Sequence, residues 1–249
     1  MDRPYVVTHL LQSLDGQLTG FPPDVGRYYA LAARLPHDVV LTGSGTMVAA
    51  AVDAGVDLSV DDPVQETASD ADGDRSAPPG DGSRGEAPLL VVVDSRGRLT
   101  RFDWLRAAGL WRDVLVAGSA TTPATHRART ADAGVELVLC GEDRVDLSAL
   151  LGHLHAVVGS TAVRVDAGAG LNAALLDAGL VDEVSVVLAP YLAGRPSDLP
   201  PGPPLPPTPP SVRLALRQVE QEPDDHLWLR YAVVGDASGR DGQAVHEAP

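Results

Sequence analysis

Short apolar runs alternate with helix-like segments along most of this chain, and this alternation is what most constrains its fold. Runs such as Leu89–Val93 and Val184–Leu188 are apolar throughout or nearly so, which is typical of strands buried on both faces. Strands that alternate with helices predict βαβ crossovers and a largely parallel sheet. The predicted strands are Tyr5–Leu11, Asp38–Leu41, Leu89–Val93, Asp113–Val116, Val135–Leu139, Val163–Val165 and Val184–Leu188, and the predicted helices are Val25–Ala33, Thr46–Ala51, Trp104–Ala108, Pro123–Ala131, Leu147–Val157 and Leu171–Ala178.

The pattern changes near the end of the chain. Two extended runs, Val212–Val219 and His226–Val234, are separated by six mostly polar residues and predict an antiparallel hairpin. The sequence therefore predicts an α/β domain with a mostly parallel central sheet, flanking helices and a C-terminal antiparallel hairpin.

One domain over residues 1–235 accounts for these patterns. Residues 60–87 are rich in Asp, Gly, Ser and Pro and predict a disordered insertion. Residues 196–211 predict a stiff proline-rich loop. Residues 236–249 predict a disordered tail. The simplest interpretation of all three is solvated linker.

Charge and composition narrow the function. The net charge is −15, and all 19 basic residues are arginines, a balance that disfavours nucleic acid and anionic membrane surfaces as partners. No apolar run reaches the ~20 residues of a membrane span. The start lacks the basic region of a secretory signal, and Cys140 is the single cysteine. We therefore expect a cytoplasmic protein without a disulfide.

Metal binding is not expected. His153 and His155 lie two positions apart on a predicted helix, so they point to different sides and cannot easily share an ion.

Two strand–glycine–helix turns carry the clearest functional signal. Val165–Leu176 passes from a strand through Asp166 and small residues into a helix. Leu41–Thr46 repeats this arrangement with a Thr-Gly-Ser-Gly-Thr turn. Such turns let backbone N–H groups and a helix N-terminus approach a phosphate. A merely tight turn at the first, and helix capping at the second, remain alternatives.

Two further polar turns follow predicted strands. Gln12–Gly16 contains an Asp-Gly pair, a common turn sequence. Asp94–Arg98 offers a serine and two arginines, which could hold a phosphate or could form a solvated turn.

In order and sequence, these four segments resemble the reductase domain of the RibD family. Ser13–Gly16 reads Ser-Leu-Asp-Gly, Gly43–Thr46 matches Gly-x-x-Thr, and Asp94–Gly97 reads Asp-Ser-Arg-Gly. Asp166–Asn172 stands where the family has a Glu-Gly-Gly-like turn followed by Leu-Asn, and the match continues through Gly179–Glu183 to an Ala-Pro pair. The resemblance covers about residues 3–234.

The resemblance implies a dihydrofolate-reductase-like fold and an NADPH-dependent reductase of a pyrimidine- or pterin-like small molecule. In the family this molecule is a ribosylamino-pyrimidine phosphate of riboflavin biosynthesis. It also implies a homodimer. Carried over by motif, Asp15 is the candidate catalytic residue; His9, Ser13 and Asp166 are the candidate substrate-binding residues; and Gln12, Gly43, Thr46, Ser95, Arg98, Gly168, Ala169, Gly170, Leu171 and Asn172 are the candidate cofactor-binding residues.

Three departures from the family pattern bear on the substrate. His9 replaces the usual lysine, Ala50 and Ala51 replace an Asp-Asp pair, and Asp166 is one methylene shorter than the family's glutamate. Two alternatives therefore stay open: a dihydrofolate-reductase-like or specialised biosynthetic reductase, and a non-catalytic protein that keeps the fold and binds a ligand or partner.

Overall fold

The computed structural model describes residues 2–58, 87–194 and 212–236. Its strands are β1 (Tyr5–Ser13), β2 (Val39–Gly43), β3 (Leu89–Val93), β4 (Asp113–Gly118), β5 (Glu136–Leu139), β6 (Ala162–Val165), β7 (Glu183–Ala189), β8 (Val212–Gln221) and β9 (Leu227–Asp236). Its helices are α1 (Val25–Ala32), α2 (Ser44–Asp53), α3 (Asp103–Ala107), α4 (Ala124–Asp132), α5 (Leu147–His153) and α6 (Ala169–Asp177), with a π-helical turn over Leu154–Val158.

The strands form a single sheet in the order β5-β4-β3-β2-β6-β1-β7-β9-β8. Every pair from β5 to β7 is parallel, and the β7–β9 and β9–β8 pairs are antiparallel. The predicted mostly parallel sheet with a closing hairpin is confirmed. Strand β6 comes late in the chain but lies at the centre, between β2 and β1.

Apolar side chains cover both faces of this sheet. One cluster joins Leu41, Val91 and Val163 to the leucines of α5 and to Leu175 of α6. On the other face, Phe102 and Leu105 pack on β2, β3 and β4. A third cluster, on the same face as the second, packs Leu31 of α1 against Trp228. These layers leave a gap over β1, β2 and β3, between α1 and α2.

The helix after β5 begins as predicted and ends differently. Asp146 is its N-cap, and its carboxylate accepts a hydrogen bond from the backbone N–H of Ala149. The sequence predicts one helix to Val157, whereas the last turn, Leu154–Val158, is π-helical. Gly159 then takes a left-handed conformation, with φ of 76°, and stops it.

The hairpin edge leaves apolar side chains uncovered. On β8, Leu214, Leu216 and Val219 are 39%, 56% and 55% exposed. The predicted insertion, proline-rich loop and tail lie outside the described residues. The exceptions are residue 87, the last of the predicted insertion, and residue 236, the first of the predicted tail. In the described part of the chain, none of the helices has the length and apolar character to cross a bilayer.

Candidate active site

Three of the four polar turns meet at the carboxyl edge of the sheet. The Thr42 hydroxyl donates to the Asp166 carbonyl oxygen at 2.7 Å, which joins the turn after β2 to the turn after β6. A Cβ on Gly45 would lie 3.3 Å from Nη1 of Arg98, so the arginine of the turn after β3 reaches the start of α2. Carboxyl edges of parallel strands are the usual ligand site of such sheets.

Helix α6 begins in the turn that follows Asp166. Its N-cap is Gly168, and no side chain caps its first N–H groups. A Cβ on Gly168 or Gly170 would meet no protein atom within 4 Å. The helix start is therefore open to a ligand, and its free N–H groups suit an anion.

Asn172 supports this turn from inside. Its Nδ2 donates to the carbonyl oxygens of Ala167 at 2.6 Å and Gly168 at 3.1 Å. The side chain is 5% exposed, and its Oδ1 has no partner in the protein. Asn172 thus fixes the shape of the turn, while Ala169 and Gly170 are exposed.

Helix α2 starts in the same way. Gly43 is its N-cap in an extended conformation, again without a side-chain cap. Thr46 lies in its first turn and lines the cavity described below. Two uncapped helix N-termini therefore lie on adjacent strands.

The turn after β3 is held by its own aspartate. The buried Asp94 carboxylate accepts from the backbone N–H groups of Arg98 at 3.0 Å and Leu99 at 2.9 Å. Gly97 has φ of +65°, and a Cβ there would come within 2.7 Å of His126. The Ser95 hydroxyl accepts from the N–H of Val145 at 3.2 Å. The turn is therefore ordered, and the Arg98 side chain is exposed beside the N-terminus of α2.

A cavity of about 430 Å³ opens beside these turns, in the gap between α1 and α2. Its polar lining includes Asp166, Thr19, Thr46 and the tyrosines of α1. The remaining lining is largely apolar or aromatic: among its residues are His9, Leu10, Leu11, Leu18, Pro23, Val25, Val40, Met47, Leu90 and Trp111.

Asp166 is the carboxylate of this cavity. Both of its oxygens accept hydrogen bonds from Arg164, at 3.0 and 2.9 Å. Its backbone N–H donates to the Leu41 carbonyl oxygen at 3.0 Å. Burial, and then the Asp166 carboxylate, raises the pKa of the neighbouring Tyr28 phenol, which therefore stays protonated. The Tyr28 hydroxyl donates to the His9 carbonyl oxygen at 3.2 Å, so the cavity combines a fixed acceptor with the phenol rings of α1.

His9 lines the cavity with both ring nitrogens occupied. Nε2 lies 3.1 Å from the Tyr28 carbonyl oxygen, which can only accept, so Nε2 carries the proton. Nδ1 then accepts from the Ser185 hydroxyl at 2.9 Å, and Trp228 donates to that hydroxyl at 2.8 Å. Burial lowers the pKa of His9 to about 4. His9 is therefore a neutral part of the wall, with its ring 4.4 Å from that of Tyr28.

The turn after β1 lies outside the cavity lining. Asp15 accepts from the N–H groups of Ala193 at 3.0 Å and Gly194 at 2.8 Å and from the Ser13 hydroxyl at 2.5 Å. These contacts, led by Ser13, lower the pKa of Asp15. Gln12 and Ser13 likewise do not line the cavity. Asp15 here fastens two loops together.

Sequence reasoning missed several residues around Asp166. Tyr28 and Tyr29 come from α1, and Arg164 stands on β6 behind the carboxylate. The Tyr-Tyr pair on a predicted helix was a usable signal, but Asp166, beside which it lies, is more than 130 positions further along the chain. Among the described residues, no cluster of three or more His, Cys, Asp or Glu side chains could hold a metal ion.

The chain matches the sequence pattern of the RibD C-terminal domain over residues 4–227. The chain belongs to this family. It is 32% identical over 200 residues to the 2,5-diamino-6-ribosylamino-4(3H)-pyrimidinone 5′-phosphate reductase of Methanothermobacter thermautotrophicus, covering 77% of this chain and 80% of that protein. The predicted membership is confirmed.

Solved structures of other proteins share the fold. A pyrimidine reductase-like protein of Corynebacterium diphtheriae has a TM-score of 0.61 at 18% identity, covering 94% of this chain and 93% of that one. The riboflavin biosynthesis reductase Rib7 of Saccharomyces cerevisiae has a TM-score of 0.57 at 18% identity, covering 93% and 90%. The predicted dihydrofolate-reductase-like fold is confirmed.

Proposed function

We propose that this chain is an NADPH-dependent reductase of an amino-substituted pyrimidine or pterin. The leading substrate is the 2,5-diamino-6-ribosylamino-4(3H)-pyrimidinone 5′-phosphate named for its archaeal relative. The observation that carries the proposal is the meeting of two uncapped helix N-termini with a cavity that holds a fixed carboxylate.

The cofactor half of the proposal rests on three groups. The open N-termini of α2 and α6 supply N–H donors for a diphosphate, and Gly168 and Gly170 leave room for it. Arg98 offers a guanidinium for the 2′-phosphate that distinguishes NADPH from NADH. Bound NADPH would supply the hydride. These residues fit the nucleotide because they combine free donors with an absence of side-chain bulk.

The substrate half rests on the cavity. The Asp166 carboxylate accepts hydrogen bonds, so it would hold N–H groups of an amino-substituted ring. Tyr28 and Tyr29 would pack beside that ring. Proximity and orientation supply most of the catalysis in such a reaction, and a fixed acceptor with rigid walls provides both.

The first experiment is a calorimetric titration of the purified chain with NADPH and with NADH. We expect micromolar binding of NADPH and weaker binding of NADH. Gly168→Val should weaken NADPH binding by about tenfold or more, because a Cβ at this position meets no protein atom within 4 Å and the added side chain enters the space left for the ligand. Arg98→Ala should reduce the preference for NADPH over NADH.

The control is Ala131→Val, which adds two carbon atoms, against three in Gly168→Val, at an exposed position of α4. It should leave both affinities unchanged. Binding of neither nucleotide by the wild-type chain would refute the proposed cofactor, and NADPH binding without oxidation of NADPH in the presence of the pyrimidine would refute the proposed reaction.

A second candidate substrate is dihydrofolate. Part of the cavity wall is apolar, formed by Val40, Met47, Leu90 and Trp111. Such a wall favours a ring with an apolar or aromatic substituent over a phosphorylated sugar. Comparing NADPH oxidation with dihydrofolate and with the pyrimidine decides between the two.

We also propose that the protein acts as a cytoplasmic homodimer. The exposed Leu214, Leu216 and Val219 of the β8 edge provide an apolar face that a second copy would cover. The single free cysteine and the use of NADPH are consistent with a reducing compartment.

A further inference from the structure

Arg164 stands directly behind the carboxylate of the cavity. Arg164 lies on β6, and Asp166 follows two positions later, directly after the strand ends. The spacing of two places both side chains on the same side of the sheet. Nε and Nη2 of Arg164 donate to the two oxygens of Asp166 at 3.0 and 2.9 Å. The side chains are 5% and 13% exposed, respectively. This is a bidentate pair whose carboxylate alone reaches the cavity.

Arg164 is itself held from its far side. Nη1 donates to the Ala32 carbonyl oxygen, at the C-terminal end of α1, at 3.2 Å, and to Nε2 of His37 at 2.7 Å. His37 can accept there because its Nδ1–H donates to the Leu35 carbonyl oxygen at 2.9 Å. Burial, followed by the charge of Arg164, lowers the pKa of His37 and keeps it neutral. The guanidinium therefore has little freedom to move.

Each oxygen of an ionised carboxylate offers about two acceptor positions. Arg164 takes one on each Asp166 oxygen, and the others face the cavity, where the Tyr28 hydroxyl also lies close to the carboxylate. The backbone of Asp166 is also fixed, by its hydrogen bonds to Leu41 and Thr42. The result is an acceptor with a defined direction.

We propose that Arg164 is a positioning and specificity-determining residue of this site. It fixes the short Asp166 side chain so that both oxygens present an acceptor to adjacent N–H donors of a neutral, amino-substituted ring. The positive charge comes from the protein, so the ring itself need not be a cation. This inference rests on the proposed function. It adds that Arg164 allows the shorter Asp166 side chain to bind the substrate at the position where the family has a glutamate.

The test uses Arg164→Met, Asp166→Glu and the combined variant in the full-length chain, with 2,5-diamino-6-ribosylamino-4(3H)-pyrimidinone 5′-phosphate and NADPH. Arg164→Met should lower kcat/KM on the order of 10²-fold, mostly through KM, because the acceptor loses its direction. Arg164→Lys should fall between Arg164→Met and the wild type. Asp166→Glu alone should also lower kcat/KM, because the longer side chain cannot sit in the guanidinium fork.

The combined variant decides the matter. A glutamate is one methylene longer and can reach the ring without the guanidinium behind it, so Arg164→Met with Asp166→Glu should exceed Arg164→Met alone in kcat/KM by about fivefold or more. The dissociation constant for NADPH should stay within about twofold of the wild-type value in all variants. Arg230→Met, which breaks the Arg230–Glu183 pair away from the cavity, should affect stability without raising KM.

If the combined variant shows only the sum of the losses in kcat/KM of Arg164→Met and Asp166→Glu, with no recovery relative to Arg164→Met, the proposal is overturned. Failure of the proposed function has a different signature, since the wild-type chain would then leave NADPH unoxidised. In that case crystal structures of the wild type and Arg164→Met still provide the test. An Asp166 carboxylate that stays within about 0.5 Å of its wild-type place in the variant would overturn the role of Arg164.

Discussion

At the scale of single residues, the site is built from paired groups whose partners cannot be guessed from local sequence. His9 stands at the position of the family's lysine, yet it is a satisfied, neutral ring bonded to Ser185 and Tyr28. The family resemblance predicts Asp166 as a substrate-binding residue, whereas nothing in the sequence indicated its partner Arg164. That pairing depends on the strand face and on the position of α1, which come from the fold.

The buried His9 predicts a pH-dependent stability. Its pKa is about 4 in the folded chain and about 6.5 when unfolded, so between these values the unfolded state binds more protons. The free energy of unfolding therefore falls as the pH drops from about 6.5 to about 4, by on the order of 3 kcal/mol from this group. Above about pH 6.5 the ring is neutral in both the folded and the unfolded state, so it no longer lowers the free energy of unfolding.

Urea denaturation of the wild type and His9→Gln from pH 7.5 to pH 4.5 measures this contribution. Other histidines titrate in both proteins, so the difference between the two curves isolates His9. The difference should shrink as the pH falls. Two parallel curves would contradict the assignment of a depressed pKa to this ring.

At the scale of elements, the strands and helices were predictable because each apolar run is bounded by clear turn residues. The predicted β1, β3 and β7 agree with the structure to within two residues at each end. The strand order was not predictable, since it is set by crossovers that a single sequence does not record. Without that order, the turns after β2 and β6 could not be known to touch.

The loop over residues 14–24 depends on Asp15. Leu18, Thr19 and Pro23 of this loop form one wall of the cavity. The loop is tied to the segment after β7 by Asp15 and by stacking of Phe21 on Tyr191 at 5.8 Å. A substitution that breaks the tie should loosen the wall while leaving the sheet intact.

Asp15→Ala should raise KM for the pyrimidine several-fold, with little change in the dissociation constant for NADPH. Chymotrypsin should also cut after Leu18 faster than in the wild type, because a released loop is a better protease substrate. Asp132→Asn, at the exposed end of α4, is the matched control and should change neither quantity. A drop in kcat alone, with unchanged proteolysis, would favour a direct chemical role for Asp15.

At the scale of the whole molecule, the sheet ends in a hairpin with one apolar face uncovered. Leu216→Glu should convert a dimer to a monomer, because a carboxylate would be buried at the centre of the proposed interface. Light scattering during size-exclusion chromatography measures the mass. Val157→Glu, at a residue that is 69% exposed elsewhere, should remain dimeric. A wild-type chain that is monomeric by light scattering would contradict the proposed interface.

The central place of β6 also governs how the chain can assemble. The half-sheet from β2 to β5 is built from neighbouring segments and can form while synthesis is still under way. β1 emerges first, but it joins that half only through β6, some 150 residues later. Its edges stay unpaired throughout that interval, so the first strand to be made completes its pairing late. The joining of β1 to the half-sheet from β2 to β5 therefore depends on a single four-residue strand, Ala162–Val165.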